Sequence, residues 1–224
     1  LSLQLDITPN RADAFSHLGV ARDIGAVTKR KLFYKPTDLP EVKKEINFKV
    51  KLESKKDCPR YSGGVIKNIK VGKSPSWLVE YMKSIGEKSI NNIVDISNYV
   101  LFELGHPTHI FDLDKLPGSE ILVRRARKGE MITTLDEKKY ELDENNLLIT
   151  SKNKPVALAG IMGGLESSIT NKTKNIFIES AYFDPVTIRK SAKSLFISTE
   201  ASKRYERGVD PNGCINAFSK VASL

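Results

Sequence analysis

The chain has 224 residues, with 36 Lys+Arg against 27 Asp+Glu and a net charge of +9. A hydrophobic content of 40% fits one large or two small folded domains and excludes an intrinsically disordered chain. The longest uncharged run, the 11 residues Pro155–Leu165, is far short of the roughly 20 that a membrane-spanning helix needs.

In chain order, residues 11–28 are predicted as a helix started by Pro9-Asn10, with Phe15, Leu18, Ile24 and Val27 on its apolar face. Lys29–Pro40 is a charged, Pro-containing connector and a candidate boundary. Ile46, Phe48, Val50 and Leu52 alternate with polar residues as a half-buried strand does. Tyr61–Val71 holds a second strand, where Gly63-Gly64 predicts a bulge or a close approach. Ser74-Pro75 caps a short helix that Gly86 ends, and residues 91–104 form another, stopped by Gly105 and Pro107.

The next part is rich in strands: Glu120–Arg125, Met131–Leu135, Lys139–Leu142, Leu147–Thr150 and Val156–Ile161, with a hairpin turn at Asp136-Glu137-Lys138. Asn175–Ser180 is a further strand, with Ile176 and Ile178 on one face and Phe177 and Glu179 on the other. Asp184-Pro185 caps a helix to about Lys193, Ser198 or Thr199 caps one to about Arg207, and Pro211–Leu224 is helical in pattern. No regular βα alternation runs through the chain, so the fold class is α+β with mixed or antiparallel sheets packed with helices.

Leu1–Ile7 lacks the basic start and long apolar core of a signal peptide. Two cysteines, Cys58 and Cys214, are too few for a disulfide framework or a Cys-rich zinc site. A reduced, cytoplasmic setting without membrane attachment is expected. The chain begins at Leu1 and stops within a helical pattern, so it is expected to be a piece of a longer protein.

Positive charge is clustered. Residues 28–57 carry ten Lys/Arg against five acids. Arg124, Arg125, Arg127 and Lys128 form a second cluster, and Arg189, Lys190, Lys193, Lys203, Arg204 and Arg207 a third. Such patches attract phosphate backbones, while the plainer alternative is a solvated surface.

Three stretches carry candidate chemistry. His106-Pro107-Thr108-His109 places two imidazoles three residues apart, but Pro107 breaks a helix and no further ligands are in place. A metal hydrolase is therefore the weaker reading and a single working histidine the stronger. Ala157–Gly164 is apolar and glycine-rich, open to close approach by a ligand, yet lacks the Lys-Ser/Thr of a phosphate loop. Glu179 is an acid flanked by apolar residues, which is costly unless the carboxylate is solvated or paired. No nucleophile elbow or kinase signature is present.

Several motifs recur in one order. They are Leu5-Asp6-Ile7-Thr8-Pro9-Asn10-Arg11, Leu18-Gly19-Val20-Ala21-Arg22-Asp23, Cys58-Pro59-Arg60-Tyr61, and Asn91-Asn92-Ile93-Val94-Asp95-Ile96-Ser97-Asn98-Tyr99-Val100. Then come Glu103 to Asp112 (ELGHPTHIFD), Ala159 to Gly164 (AGIMGG), Glu179-Ser180-Ala181-Tyr182-Phe183 and Thr199 to Pro211 (TEASKRYERGVDP). Over nearly the whole chain this series resembles the β subunit of bacterial phenylalanyl-tRNA synthetases.

The resemblance implies that residues 40–208 are a B3/B4 module housing an editing site. Residues 1–33 would be the end of a preceding B1-type module, and 209–224 the start of a connection to a B5-type module. Family members hydrolyse tyrosyl-tRNA(Phe) that the synthetase has mischarged. An apolar pocket rejects an added hydroxyl only weakly, by about 10², whereas a second site that demands the hydroxyl discriminates the other way. Matching the motifs residue by residue, Glu179 would accept the tyrosyl hydroxyl, Thr199 and Ala201 would line the editing pocket, and His109, Glu179 and Thr199 are expected to be the catalytic residues. Gly163 and Gly164 would lie beside the aminoacyl group, and His109 and Asn98 near the ester and terminal adenosine. His109 could orient water, deprotonate it, or hold the ribose. Lys88 stands where some relatives have Arg, which keeps the charge but loses bidentate geometry.

The expected reaction is attack of an ordered water on the ester, by positioning and electrostatics rather than a covalent nucleophile. The alternative is a tRNA-docking module whose editing site is inactive. The resemblance also implies an α subunit partner in an α2β2 assembly and the tRNA(Phe) acceptor end as substrate. ATP and Mg2+ would serve the parent enzyme, with no cofactor or metal in this chain.

Overall fold

The computed structural model describes residues 3–224. A short 3-10 turn, Ala12–Ala14, is followed by helix α1, His17–Thr28. The helix predicted over 11–28 is thus broken at Ser16. That residue is extended, and its side chain accepts the Gly19 N–H at 3.0 Å, capping α1. Ile24 and Val27 of the predicted apolar face remain exposed.

Strand β1, Lys49–Leu52, starts three residues later than its alternation predicts. It is an edge strand, so Ile46 and Val50 stay exposed, while Phe48 stacks on Phe177 at 4.6 Å. Strand β2 is Arg60–Lys67. Helix α2, Ser76–Ser84, begins at the predicted Ser74-Pro75 but has no side-chain cap. Pro75 is its N-cap, and Ser74 instead donates to the buried Asp95. Helix α3 is Asn92–Leu104, capped by Asn91, and strand β3, Thr108–Asp112, starts three residues after the C-cap Gly105.

The strand-rich part comprises β4 (Glu120–Arg125), β5 (Glu130–Thr133), β6 (Lys139–Leu142), β7 (Leu147–Ser151), β8 (Lys154–Leu158) and β9 (Met162–Gly163). Strand β8 ends before the predicted Ile161, because the chain turns at Gly160 with φ +67°, a conformation other residues adopt only under strain. Then come β10 (Asn175–Tyr182), α4 (Pro185–Ser194), α5 (Glu200–Arg207) and α6 (Gly213–Ser223).

The fold is α+β with mixed sheets, as the absence of βα alternation predicts. A five-stranded sheet runs β1-β4-β7-β8-β9, with β1 and β4 parallel and the other pairs antiparallel. An antiparallel sheet runs β2-β10-β3, and β5-β6 form a hairpin. Strand β10 is the pivot because both its faces are buried. Ile176 and Ile178 pack with Ile93 and Val100 of α3 and with Ala217 and Val221 of α6. Phe177 and Ala181 face the larger core, which includes Ile121, Leu147, Leu158 and Phe183.

The eight β2–β10 pairs run without a bulge. Of the two expectations at Gly63-Gly64, close approach is the one found: a Cβ on Gly64 would lie 2.6 Å from the Phe218 ring. The N-terminal segment docks on α5. Arg204, buried there, stacks against Phe15 at 4.3 Å and Phe102 at 5.0 Å.

Candidate functional site

Strand alternation puts Glu179 on the same face of β10 as Phe177, so an acid enters the large core and its side chain is 4% exposed. Its register partners are Gly63 on β2 and His109 on β3. Gly63 contributes no side chain, and His109 stands beside Glu179 on the same face. Burial raises the Glu179 carboxyl to about 8, opposed only by a hydrogen bond from the Tyr61 hydroxyl to Oε2 at 2.6 Å.

These groups open on a cavity of about 280 Å³. Asn98 from α3, His109 from β3, Gly163 from β9, Glu179 from β10 and Thr199 and Ala201 from the start of α5 all line it. Six of the eight residues predicted for the site therefore converge, from five separate elements. The Asn98 amide takes no hydrogen bond among the described residues, so it is free for a ligand.

His109 lies edge-on to Phe111 with ring centroids 4.4 Å apart. Its Nε2 is enclosed without a partner among the described residues. Burial lowers its pKa to about 4, so the ring is neutral at physiological pH. Gly163 lies flat against it: a Cβ there would be 2.7 Å from Nε2.

The Thr199 hydroxyl is committed. It donates to the Ile161 carbonyl at 2.9 Å and accepts the Ser202 N–H at 3.0 Å, completing the capping box of α5. It therefore ties the β8–β9 turn to the helix start, with no free proton to give a ligand. Ala201 has only a methyl group, which keeps that wall of the cavity low.

Two predicted residues are not brought in. Gly164 turns away, as successive strand residues do: it bridges Thr134, and a Cβ there would meet the Val156 carbonyl carbon at 3.1 Å. Lys88 is exposed after α2 and does not line the cavity. His106 and His109 also part. His106 is buried near Gly213, away from the cavity, and burial lowers its pKa to about 4. No group of three His, Cys, Asp or Glu that could hold a metal is assembled among the described residues.

Sequence reasoning assigned no role to Tyr61 or Tyr205. Tyr205 lines the cavity and its hydroxyl donates to the Ala181 carbonyl at 3.0 Å. Tyr61 lies two residues from Gly63 and so on the same face of β2, but that this is the face of Glu179 follows only from the β2–β10 register. The basic clusters are also partly spent inside the fold. Arg124 pairs with Glu130, Arg125 with Asp57 and Arg204 with Glu200. Lys29, Arg30 and Lys31 stay exposed beside Arg22.

The B3/4 domain family matches residues 57–224. The chain belongs to that family. The B3/4 chain is 47% identical over 222 residues to the phenylalanine–tRNA ligase β subunits of Carboxydothermus hydrogenoformans and Thermotoga maritima, covering 99% of this chain in each case. It spans 28% of the length of those relatives. A solved N-terminal fragment of the phenylalanyl-tRNA synthetase β subunit from Pyrococcus horikoshii is 18% identical, with a TM-score of 0.47 over 86% of this chain and 59% of that one. The resemblance drawn from the ordered motifs is thus borne out by the family and the β-subunit relatives. No helix among the described residues is long and apolar enough to cross a membrane.

Proposed function

We propose that the cavity is an editing site that hydrolyses the ester of tyrosyl-tRNA(Phe). The observation that carries this reading is Glu179, an acid buried at the cavity wall in a setting that otherwise has no use for one. One oxygen is held by Tyr61, and the other takes no hydrogen bond among the described residues. A phenolic hydroxyl is a fitting donor for it. A phenylalanyl group would leave that buried carboxyl oxygen unpaired, so the site favours the ester that a synthetic pocket shaped for phenylalanine rejects weakly.

In this reading the acceptor end of the tRNA enters the cavity. A water oxygen attacks the ester carbonyl carbon, the bond to the ribose oxygen breaks, and a proton ends on that oxygen. Free tyrosine and tRNA leave. His109, neutral and with Nε2 unpartnered, hydrogen-bonds the water or the ribose. Its lowered basicity makes it a better orienter than proton acceptor. Asn98 offers a free amide to the same end of the substrate. Gly163 keeps the wall flat, and Thr199 fixes the turn that carries Gly163 rather than moving a proton.

The wider context is part of the proposal. The chain would act within a β subunit assembled with α subunits as α2β2, in an enzyme that charges tRNA(Phe) with phenylalanine using ATP and Mg2+. No residue of this chain is assigned to ATP or Mg2+. Lys88 and the cations at residues 29–31 would meet tRNA phosphates rather than the aminoacyl group. Residues 1–33 and 209–224 would border the neighbouring modules.

Preformed tyrosyl- and phenylalanyl-tRNA incubated with the protein test the reading. Faster release of tyrosine is expected. Binding of both, with neither ester hydrolysed, would favour the docking alternative.

A further inference from the structure

The Glu179 carboxylate does not stand alone. Directly across β2 from it is Gly63, and across from Ala181 is Tyr61. A missing side chain and a methyl leave space on this face, and the diagonal neighbour fills it. Diagonal cross-strand partners are within reach of an aromatic side chain. Half-buried there, Tyr61 donates its hydroxyl to Oε2 of Glu179 at 2.6 Å.

We propose that Tyr61 is the positioning residue of the selector: it holds Oε2 of Glu179 so that Oε1 faces the cavity as acceptor for a phenolic hydroxyl. This rests on the editing reading above. Without Tyr61 the carboxyl could rotate and present either oxygen, or a proton, to the ligand.

The same bond also favours the ionised form. The titratable groups facing Glu179 are Tyr61 from β2, His109 from β3 and Tyr205 from α5, with Cys58 just before β2. None of them is cationic at neutral pH. Burial drives the carboxyl up, and the Tyr61 donor is what opposes it. The anion discriminates better than the acid, because a buried charge left without a donor costs more than a neutral group so left.

Tyr61→Phe removes one oxygen and keeps the ring. It is compared with wild type and Glu179→Gln in the full-length β subunit assembled with its α subunit, with thermal unfolding as the folding control. Tyr61→Phe should lower the preference for tyrosyl over phenylalanyl ester about tenfold, chiefly through KM for the tyrosyl ester. The acid limb of its pH profile should move to higher pH. An unchanged preference and profile in Tyr61→Phe, alongside lost selectivity in Glu179→Gln, would reduce Tyr61 to packing. Faster tyrosyl hydrolysis in Tyr61→Phe would make Tyr61 a competitor for Glu179 and overturn the proposal. Full selectivity in Glu179→Gln would overturn the editing reading itself.

A second measurement needs no variant. On binding of a non-hydrolysable 3′-tyrosylamido adenosine, the hydrogen-bonded Tyr61 hydroxyl proton should keep its downfield NMR shift. Its loss on binding would show displacement and contradict the proposal.

Discussion

The His109 imidazole lies directly on the bare Cα of Gly163, so that a Cβ at that glycine would fall 2.7 Å from Nε2. The contact joins β3 of one sheet to β9 of the other across the cavity. It makes the orientation of His109 depend on a missing methyl group.

Gly163→Ala should therefore displace the ring. A shift of about 1 Å in a positioning group costs on the order of 10² in rate. Overpacking of this kind costs about 1–3 kcal/mol of stability. Steady-state hydrolysis of tyrosyl-tRNA, read beside thermal unfolding, checks both. A variant with wild-type rate would show that the ring can yield without consequence.

Glu179 makes stability fall as pH rises. Its folded pKa, about 8, lies above the ordinary 4.5 of a glutamate. The folded state therefore holds its proton longer than the unfolded state, and stability is lost as pH climbs through that interval. Glu179→Gln should flatten denaturant midpoints measured from pH 5 to 8.5 and be the more stable protein at the upper end, by several kcal/mol. Parallel curves for the two proteins would contradict the burial argument.

His106 and His109 act at the other end. Both are lowered to about 4 by burial, from an ordinary 6.5. Each contributes stability that is present above pH 6.5 and lost as pH falls toward 4. Urea midpoints should drop across that window, and His106→Gln should remove part of the drop without touching the cavity. No change in His106→Gln would show that its ring is solvated on protonation.

Thr199 is a structural tie. Thr199→Ser keeps both the bond to the Ile161 carbonyl and the cap on α5, so it should stay near wild type in stability and hydrolysis. Thr199→Val loses both and should cost about 1–2 kcal/mol. A large loss of hydrolysis in the folded Thr199→Ser protein would give the threonine methyl a direct role.

Much of this was legible because local rules were obeyed. The alternation of Ile176, Phe177, Ile178 and Glu179 predicted the two faces of β10, and Asn91, Asp184 and Thr199 cap the helices that begin after them. What alternation could not say is that both faces of β10 are covered, since burial depends on distant elements. The strand at Thr108–Asp112 was missed because it is short and follows a proline, and with it the pairing of His109 to Glu179. The break at Ser16 was hidden by an apolar pattern that continues through it. The basic clusters overstated the free charge, because Arg124 pairs with Glu130 at the start of β5, Arg125 with Asp57 far off in sequence, and Arg204 with Glu200 one turn back on α5. Tyr61 and Glu179 are far apart in sequence, and only the β2–β10 register brings them together.

The most direct measurement is the accumulation of tyrosyl-tRNA(Phe) by the full synthetase supplied with tyrosine, comparing wild type with Glu179→Ala. The account predicts that little accumulates with wild type and that it builds up with the variant, while charging with phenylalanine is unchanged. Equal accumulation by the two would contradict Glu179 as the selector, and with it the reading of this cavity as an editing site.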